Sequence, residues 1–537
     1  MASPVAPKFT PETTPEQRAD AADQLRIAVA RNERDMPVPF HPTNGDEAQY
    51  ETKIGNYSKG LPHNDIGEVD LAAYQLMLTA LRSGKVADFE NIPLGGAVPL
   101  VDPQSGLAYD LEGVDSHQLA IPAPPRLASG TKAAEAVELY WMALMRDVHF
   151  SHYGSSELTE EAAKELSSLA DFNRRLDGVR EKVTAQTLFR GFTDGDLKGP
   201  YISQFLYQTL EFGAAEVVQR FQTLLPLSKG GTNWMTDVPS WLDCQNGQGP
   251  LAAAWKTPSE APNRIDPVRR YIRSGRDISQ YVHEDVLFEA YFNACLYLID
   301  SGARLNPSNP YLASKNQTGF GTFGTPHLKT TVAEVATRAL KAVWFQKWFV
   351  HRHLRPEAYG GLVENARSGV KQEVNMPAAV LNSQAVERCA RINGTSLLPH
   401  AFPEGCPQHP SYAQGHGTVA GACTTVIKAF FDETWEIPNP MIPTEDGLAL
   451  VAYEGPDTLY LGAEVDKLAA NIALGRNHAA VHWRTDYSQS ILLGEQVAIS
   501  ILKDQMATFN ELPLIQATGW SFTGFRGDKI QLTSDTL

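Results

Sequence analysis

Lys347, Arg355, Arg476, His416 and His482 stand in three separated segments, and together they supply the groups needed to hold a tetrahedral or trigonal oxyanion. The first segment, KWFVHRHLRPE, sets Lys347 eight positions before Arg355-Pro356. Lysine offers a compact charge and arginine a planar fork of donors suited to oxyanion edges. On an ideal helix the two lie about 80° apart, so both reach one pocket if Arg355 sits on the exit turn that Pro356 enforces. The competing reading is that Lys347, His351 and Arg352 only solvate an amphipathic helix.

The second segment runs from His409 through Pro410, Ser411, Tyr412, Ala413, Gln414 and Gly415 to His416, and it reads as a loop entering a helix. Free amides and the positive end of the helix dipole at Gly415 and His416 attract an anion. A histidine can serve as acid or base near neutral pH, which makes His416 a candidate and His409 a second. The alternative is a turn glycine beside a capping histidine.

In the third segment, GRNHAAVHWRTD, Arg476 and His482 would stand about 120° apart on one continuous helix. They converge only if the chain breaks between them, which Gly475 and the residues after it permit. Asp486, four past His482, can accept the other ring N–H and fix the tautomer. His478 and His482 are also spaced to ligate zinc, but the Glu of HExxH and a third ligand are missing. A satisfied core histidine with a surface arginine is the remaining alternative.

The elements that must position these groups are mainly helical. Thr14 to about Arg34, LAAYQLMLTALRSG, KAAEAVELYWMALMRDV, EEAAKELSSLADFNRRLDGVREKVT and HEDVLFEAYFNACLYLIDSG each carry helical periodicity, and Gly302 closes the last. Thr331 with Glu334 reads as a capping box opening a helix that ends near Arg355. SYAQGHGTVAGACTTVIKAFFDE, AEVDKLAANIALGR and TDYSQSILLGEQVAISILKDQ add three more. Gly417, Ala420, Gly421 and Ala422 leave room for another backbone to approach closely. Alternating strand patterns are scarce and no fixed-period repeat is present.

The chain of 537 residues, 43% hydrophobic and 20% charged, is long enough for a large core. A net charge of −16 argues against nucleic acid and anionic membrane surfaces, so any anion site must be local. The N-terminus shows no apolar leader and no apolar run of spanning length occurs, which predicts a cytoplasmic or non-classically exported protein. Cys244, Cys295, Cys389, Cys406 and Cys423 lack paired spacing and read as buried thiols.

Taken together, Lys347…Arg355-Pro356, Pro410-Ser411…Gly415-His416 and Arg476…His482…Asp486 resemble the motif set of vanadium-dependent haloperoxidases and related acid phosphatases. Seven residues between Lys347 and Arg355, where the phosphatase pattern has six, look like the bromoperoxidase branch of algae and cyanobacteria. The upstream stretches KGLPHNDIGEVD, FENIP, AEAVELYWMALMRDV and GPYISQFL extend the likeness over nearly the whole chain.

The resemblance implies an all-α fold of two four-helix bundles with long ordered loops. It divides as residues 1–130 packing on the core, 131–320 as a first bundle and 321–537 as the bundle carrying the site. It also implies vanadate bonded to His482 Nε2, with Lys347, Arg355, Arg476 and the Gly415 amide on its equatorial oxygens. His416 and Lys347 would assist peroxide, His409 would favour bromide and iodide, and Asp486 and Ser411 would support the ligands from behind. Hydrogen peroxide, halide and small organic acceptors are the implied partners, in a homo-oligomer (dimer or dodecamer). A structural calcium ion is compatible with the resemblance, with no ligands assigned.

One residue departs from the pattern. Gln414 stands where the algal enzymes commonly carry Ser, and losing that hydroxyl's hydrogen bond costs about 1–3 kcal/mol, roughly tenfold to a hundredfold in affinity. Weaker vanadate retention is therefore expected. The rival functions are a phosphatase using His482 as nucleophile, and an oxyanion-binding helical oligomer whose site has decayed at Gln414.

Overall fold

The computed structural model describes residues 14–248, 265–511 and 520–532. Residues 1–13, on which the absence of a leader was read, lie outside the described residues.

Helix α1 (Pro15–Arg34) opens on a capping box in which Thr14 and Gln17 satisfy each other's amides, and none of its residues is buried. Helix α2 (Leu71–Ser83) is capped by Asp70 and stopped by Gly84 at φ 64°. Helix α3 (Gly130–Leu144) has almost every residue from Lys132 onward buried. Helix α4 (Glu157–Ser168) ends earlier than its periodicity suggests, because the acidic and basic run after Ser168 forms turns over the surface. Helix α5 (Val238–Gln245) follows a loop-rich stretch.

The segment read as one helix from His283 to Gly302 is two: α6 (Gly275–Glu284) and α7 (Glu289–Asp300), separated by an extended residue at Asp285. Gly302 follows α7 at φ 66° as expected.

Helix α8 (Thr325–Phe345) begins two turns before Thr331, since Gly324 and Pro326 make an entrance the capping-box reading overlooked. It continues into a π turn over Gln346–His351 and stops at Arg352, which takes a left-handed φ of 41°. Arg355 therefore does not sit on the exit turn of that helix. It is the N-cap residue of α9 (Pro356–Ser368), with Pro356 in the first turn, where its missing N–H costs nothing.

Helix α10 (Gln384–Asn393) precedes the loop that leads to α11 (Gly415–Phe430), in which every residue but His416 is buried. Helices α12 (Leu461–His478) and α13 (Arg484–Thr508) complete the order. Helix α11 packs against α8, α12 and α13. Its contact with α13 is backbone to backbone. A Cβ added at Gly421 would meet the Ile491 carbonyl oxygen at 2.1 Å, and one at Gly494 would meet that of Thr418 at 1.9 Å.

Among the described residues the strands form four two-stranded antiparallel pairs, and no helix is long and apolar enough to cross a membrane. All five cysteines are buried and unpaired.

Candidate oxyanion site

The site lies where the π turn, the Arg355 N-cap, the loop before α11 and the loop between α12 and α13 meet. Each supplies a side chain because its helix stops there. Helix α12 ends at His478 and Ala480 takes φ 67°, which is the break between Arg476 and His482 that convergence demands.

Asp486 Oδ2 anchors the centre. It accepts from His482 Nδ1 at 2.7 Å, from the Trp483 amide at 3.1 Å and from the Ser411 hydroxyl. A carboxylate partner makes Nδ1 the protonated nitrogen, so Nε2 carries the lone pair. That lone pair faces Arg355 Nη1 at 2.9 Å. Arg355 also donates to the His409 carbonyl at 2.9 Å and the Val481 carbonyl at 2.7 Å, and its Nη2 reaches His409 Nδ1 at 3.0 Å. Lys347 Nζ donates to the carbonyls of Pro410 and Ser411, both at 2.8 Å. Lys347, Arg355, His409, Ser411, His482 and Asp486 thus form one connected, buried network.

Arg476 is buried too. Its Nη1 donates to Val282 O at 2.7 Å, while its Nε is without a partner. Phe402 lies 5.5 Å from the guanidinium, and Trp344 lies 5.7 Å from Lys347 Nζ with its ring 4.7 Å from that of His409. A Cβ at Gly415 would stand 3.2 Å from Trp344, so the indole walls the loop-to-helix junction.

His416 faces elsewhere. Its side chain is 21% exposed and its Nε2 stands 3.0 Å from Asp285 Oδ1, at the break between α6 and α7. Gln414 is fully buried, with Nε2 donating to Ala473 O at 2.8 Å and Oε1 unsatisfied. His478 points away from His482, with Nε2 3.2 Å from the Tyr201 hydroxyl. The zinc reading of that pair fails: the one three-residue metal-type cluster among the described residues contains neither.

Electrostatics give the arrangement its meaning. Burial, reinforced by Arg355 and Arg476, drives Lys347 well below its ordinary value. Burial draws Arg476 down to about 10. Burial and then Arg355 and Lys347 hold both His482 and His409 well below theirs, so both rings are neutral. Burial lifts Asp486, opposed by Lys132 and the Ser411 hydroxyl. Three crowded, desolvated cations gain most from a compact anion among them.

The third segment is clamped from behind by α3. Arg484 forms a buried fork with Glu138, Nε to Oε1 at 3.0 Å and to Oε2 at 2.8 Å. Thr485 N donates to Glu135 at 2.8 Å, and Lys132 lies over Trp483 at 3.9 Å. Sequence reading missed Glu138, Trp344 and Asp285. Each meets its partner from a distant stretch of chain, and only a buried charge in a helical pattern hinted at the first.

No protein-family model matches the chain. It is 35% identical to the vanadium-dependent bromoperoxidase of Corallina pilulifera over 593 aligned positions, covering 92% of this chain and 96% of that protein. The vanadium-dependent bromoperoxidase of Ascophyllum nodosum is 33% identical over 550 positions, covering 97% and 94%. The homohexameric structure of a second vanadate-dependent bromoperoxidase from Ascophyllum nodosum superposes with a TM-score of 0.89 at 30% identity, over 98% of this chain and 92% of that one.

Proposed function

The chain belongs to the vanadium-dependent bromoperoxidases, and from that premise we propose which of its residues carry vanadate-dependent oxidation of halide by hydrogen peroxide. The single observation that carries the assignment is the buried trio Lys347, Arg355 and Arg476 gathered around the neutral ring of His482, whose Nε2 meets Arg355 at 2.9 Å, with the Arg476 Nε left unpaired.

These residues fit an oxyanion of the vanadate class. His482 Nε2 would supply a neutral donor atom for the metal, and Asp486 sets its tautomer and raises its basicity. Lys347, Arg355 and Arg476 would offer N–H groups to the oxygens of such a group and offset their negative charge. Vanadate, when bound, supplies a Lewis acid that makes peroxide electrophilic toward halide without changing its own oxidation state.

The remaining steps belong to the chain. Lys347, held beside Trp344 and out of water and donating here to the Pro410 and Ser411 carbonyls, would supply an N–H donor to the peroxide oxygen. His416, tied here to Asp285 and partly open to solvent, would have to turn from that carboxylate toward the pocket to take a proton from incoming peroxide and pass it outward. His409, neutral and packed on Trp344, lines the pocket where halide approaches and tunes Arg355 through the contact to its Nη2. Hypohalous acid then halogenates small organic acceptors in solution. The homohexameric relative supports a homo-oligomer for this chain as well.

The test is reconstitution. Metal-free protein given orthovanadate should brominate a phenol-red acceptor in the presence of peroxide and bromide, and phosphate should compete. His482→Ala should abolish vanadate binding and activity together, whereas His416→Ala should retain binding and slow turnover. Normal bromination by His482→Ala overturns the assignment, and ester hydrolysis without bromination would instead make the site a phosphatase.

A further inference from the structure

Behind the oxyanion site lies a second buried cluster that the halide chemistry does not use. Glu357, His400 and Cys406 are 1%, 0% and 1% exposed, and one ligand-type atom from each falls within 4.8 Å of the others. Neither ring nitrogen of His400 has a partner. Leaving a fully buried imidazole so is costly, and it calls for something to fill the space. Burial holds that ring neutral, with its pKa drawn down to about 3. Cys244, on α5, brings a second sulfur to 3.9 Å from Glu357 Oε2.

Lys59 closes the other side. Its Nζ stands 2.8 Å from Glu357 Oε1, 3.1 Å from Cys244 Sγ, and 2.7 and 2.6 Å from the carbonyls of Glu404 and Cys406. Gln245 Nε2 also donates to Glu357 Oε1, the Cys406 amide to Glu357 Oε2 and the Cys244 thiol to the Glu404 carbonyl, so the unpartnered His400 ring is the one group here left without a hydrogen bond.

We propose that Glu357, His400 and Cys406, with Cys244 as fourth ligand, form a binding site for a thiophilic divalent cation of the zinc type.

Donor atoms around tetrahedral zinc, at bond lengths of about 2.0–2.3 Å, stand roughly 3.3–3.8 Å apart, so Glu357, His400 and Cys406 would draw in from their 4.8 Å cluster and Cys244 would turn in from outside it to close the shell. Binding releases one proton from each thiol, and two S–H bonds are exchanged for two Zn–S bonds with no change of oxidation state. The charges then balance: two thiolates and the Glu357 carboxylate against the dication and the Lys59 ammonium. The ion would fasten the His400–Cys406 loop and α5 to the first turn of α9, whose N-cap is Arg355. It is a structural metal, separate from vanadate.

The experiment uses the full-length protein produced with zinc present, with zinc and vanadium measured separately by elemental analysis. The expected result is zinc stoichiometric with the chain whatever its vanadate content, with mixed sulfur and nitrogen or oxygen neighbours in zinc X-ray absorption. Metal-free protein titrated with Co2+ should develop thiolate-to-cobalt charge-transfer absorption, weakened by about half in Cys406→Ser and altered in His400→Gln. Wild-type protein that binds vanadate yet holds no stoichiometric zinc and gives no thiolate band overturns the proposal, with Lys59 alone filling the space. A band that persists unchanged in Cys406→Ser overturns it as well, by placing the metal elsewhere. If Cys406→Ser fails to fold, the absorption spectrum and sulfur count of the wild-type zinc protein decide between the outcomes.

Discussion

His482 donates its Nδ1–H to Asp486 across 2.7 Å, and this one bond selects which ring nitrogen faces the anion pocket. Asp486→Asn keeps the shape but no longer fixes that tautomer. Vanadate affinity should fall about 10–100-fold, as for other groups that orient a metal-bound histidine. Vanadate titration of the metal-free variant checks it, and unchanged affinity would remove Asp486 from the account.

Arg355 spends its guanidinium on two carbonyls and two histidine rings at once. Lysine cannot reproduce that fork. Arg355→Lys should weaken vanadate binding by at least about tenfold, equivalent to about 1.4 kcal/mol, with bromination falling in step at subsaturating vanadate. The readout is activity against vanadate concentration.

Gln414 holds Ala473 O instead of presenting its amide N–H to the pocket, and its Oε1 is unsatisfied. Gln414→Ser should therefore tighten vanadate binding by about tenfold. The freed Ala473 carbonyl should cost stability by about 0.5–1.5 kcal/mol. Reconstitution titrations together with urea melts separate the two effects, and failure to tighten would sink the idea that Gln414 weakens retention.

Glu138 is the only carboxylate paired with Arg484 among the described ion pairs, and both are buried. Glu138→Ala should destabilise the fold by about 3–5 kcal/mol, because it strands the guanidinium. Thermal and urea unfolding measure this. A loss below about 1 kcal/mol, the range of exposed pairs, would mean the clamp on the His482 loop is dispensable.

His351 is buried with both ring nitrogens unpartnered, and burial draws its pKa down to about 3. Between its ordinary value and that point the unfolded chain takes up a proton that the folded chain refuses. Stability is accordingly lost as pH falls through this window. His351→Asn should flatten the acid side of the stability curve by about 1.4 kcal/mol per pH unit. Parallel slopes for variant and parent between pH values near 6 and near 4 would contradict it.

Much of the pocket was legible because its chemistry sits in residue types at short spacing. The break between Arg476 and His482 followed from their angular separation on a helix, and the small residues of α11 announced the close approach of α13. What escaped was set by tertiary context. Gly324 and Pro326 start α8 before the capping box at Thr331, and a π turn with left-handed Arg352 moves Arg355 onto the next helix. The periodic run after His283 concealed the extended residue Asp285, whose partner His416 lies 131 positions away. No local pattern encodes such a pairing.

The seam between α11 and α13 has one more consequence. Gly421 lies against the Ile491 carbonyl, Gly494 against that of Thr418, and Gly417 against the Ser490 hydroxyl, so the helices bearing His416 and following His482 are registered by peptide groups, glycines and a hydroxyl. None of these is a thioether, thiol, indole or phenol, the side chains that hypohalous acid attacks first. A catalyst that releases a corrosive product beside its own framework has, at these three crossing points, nothing for that product to burn.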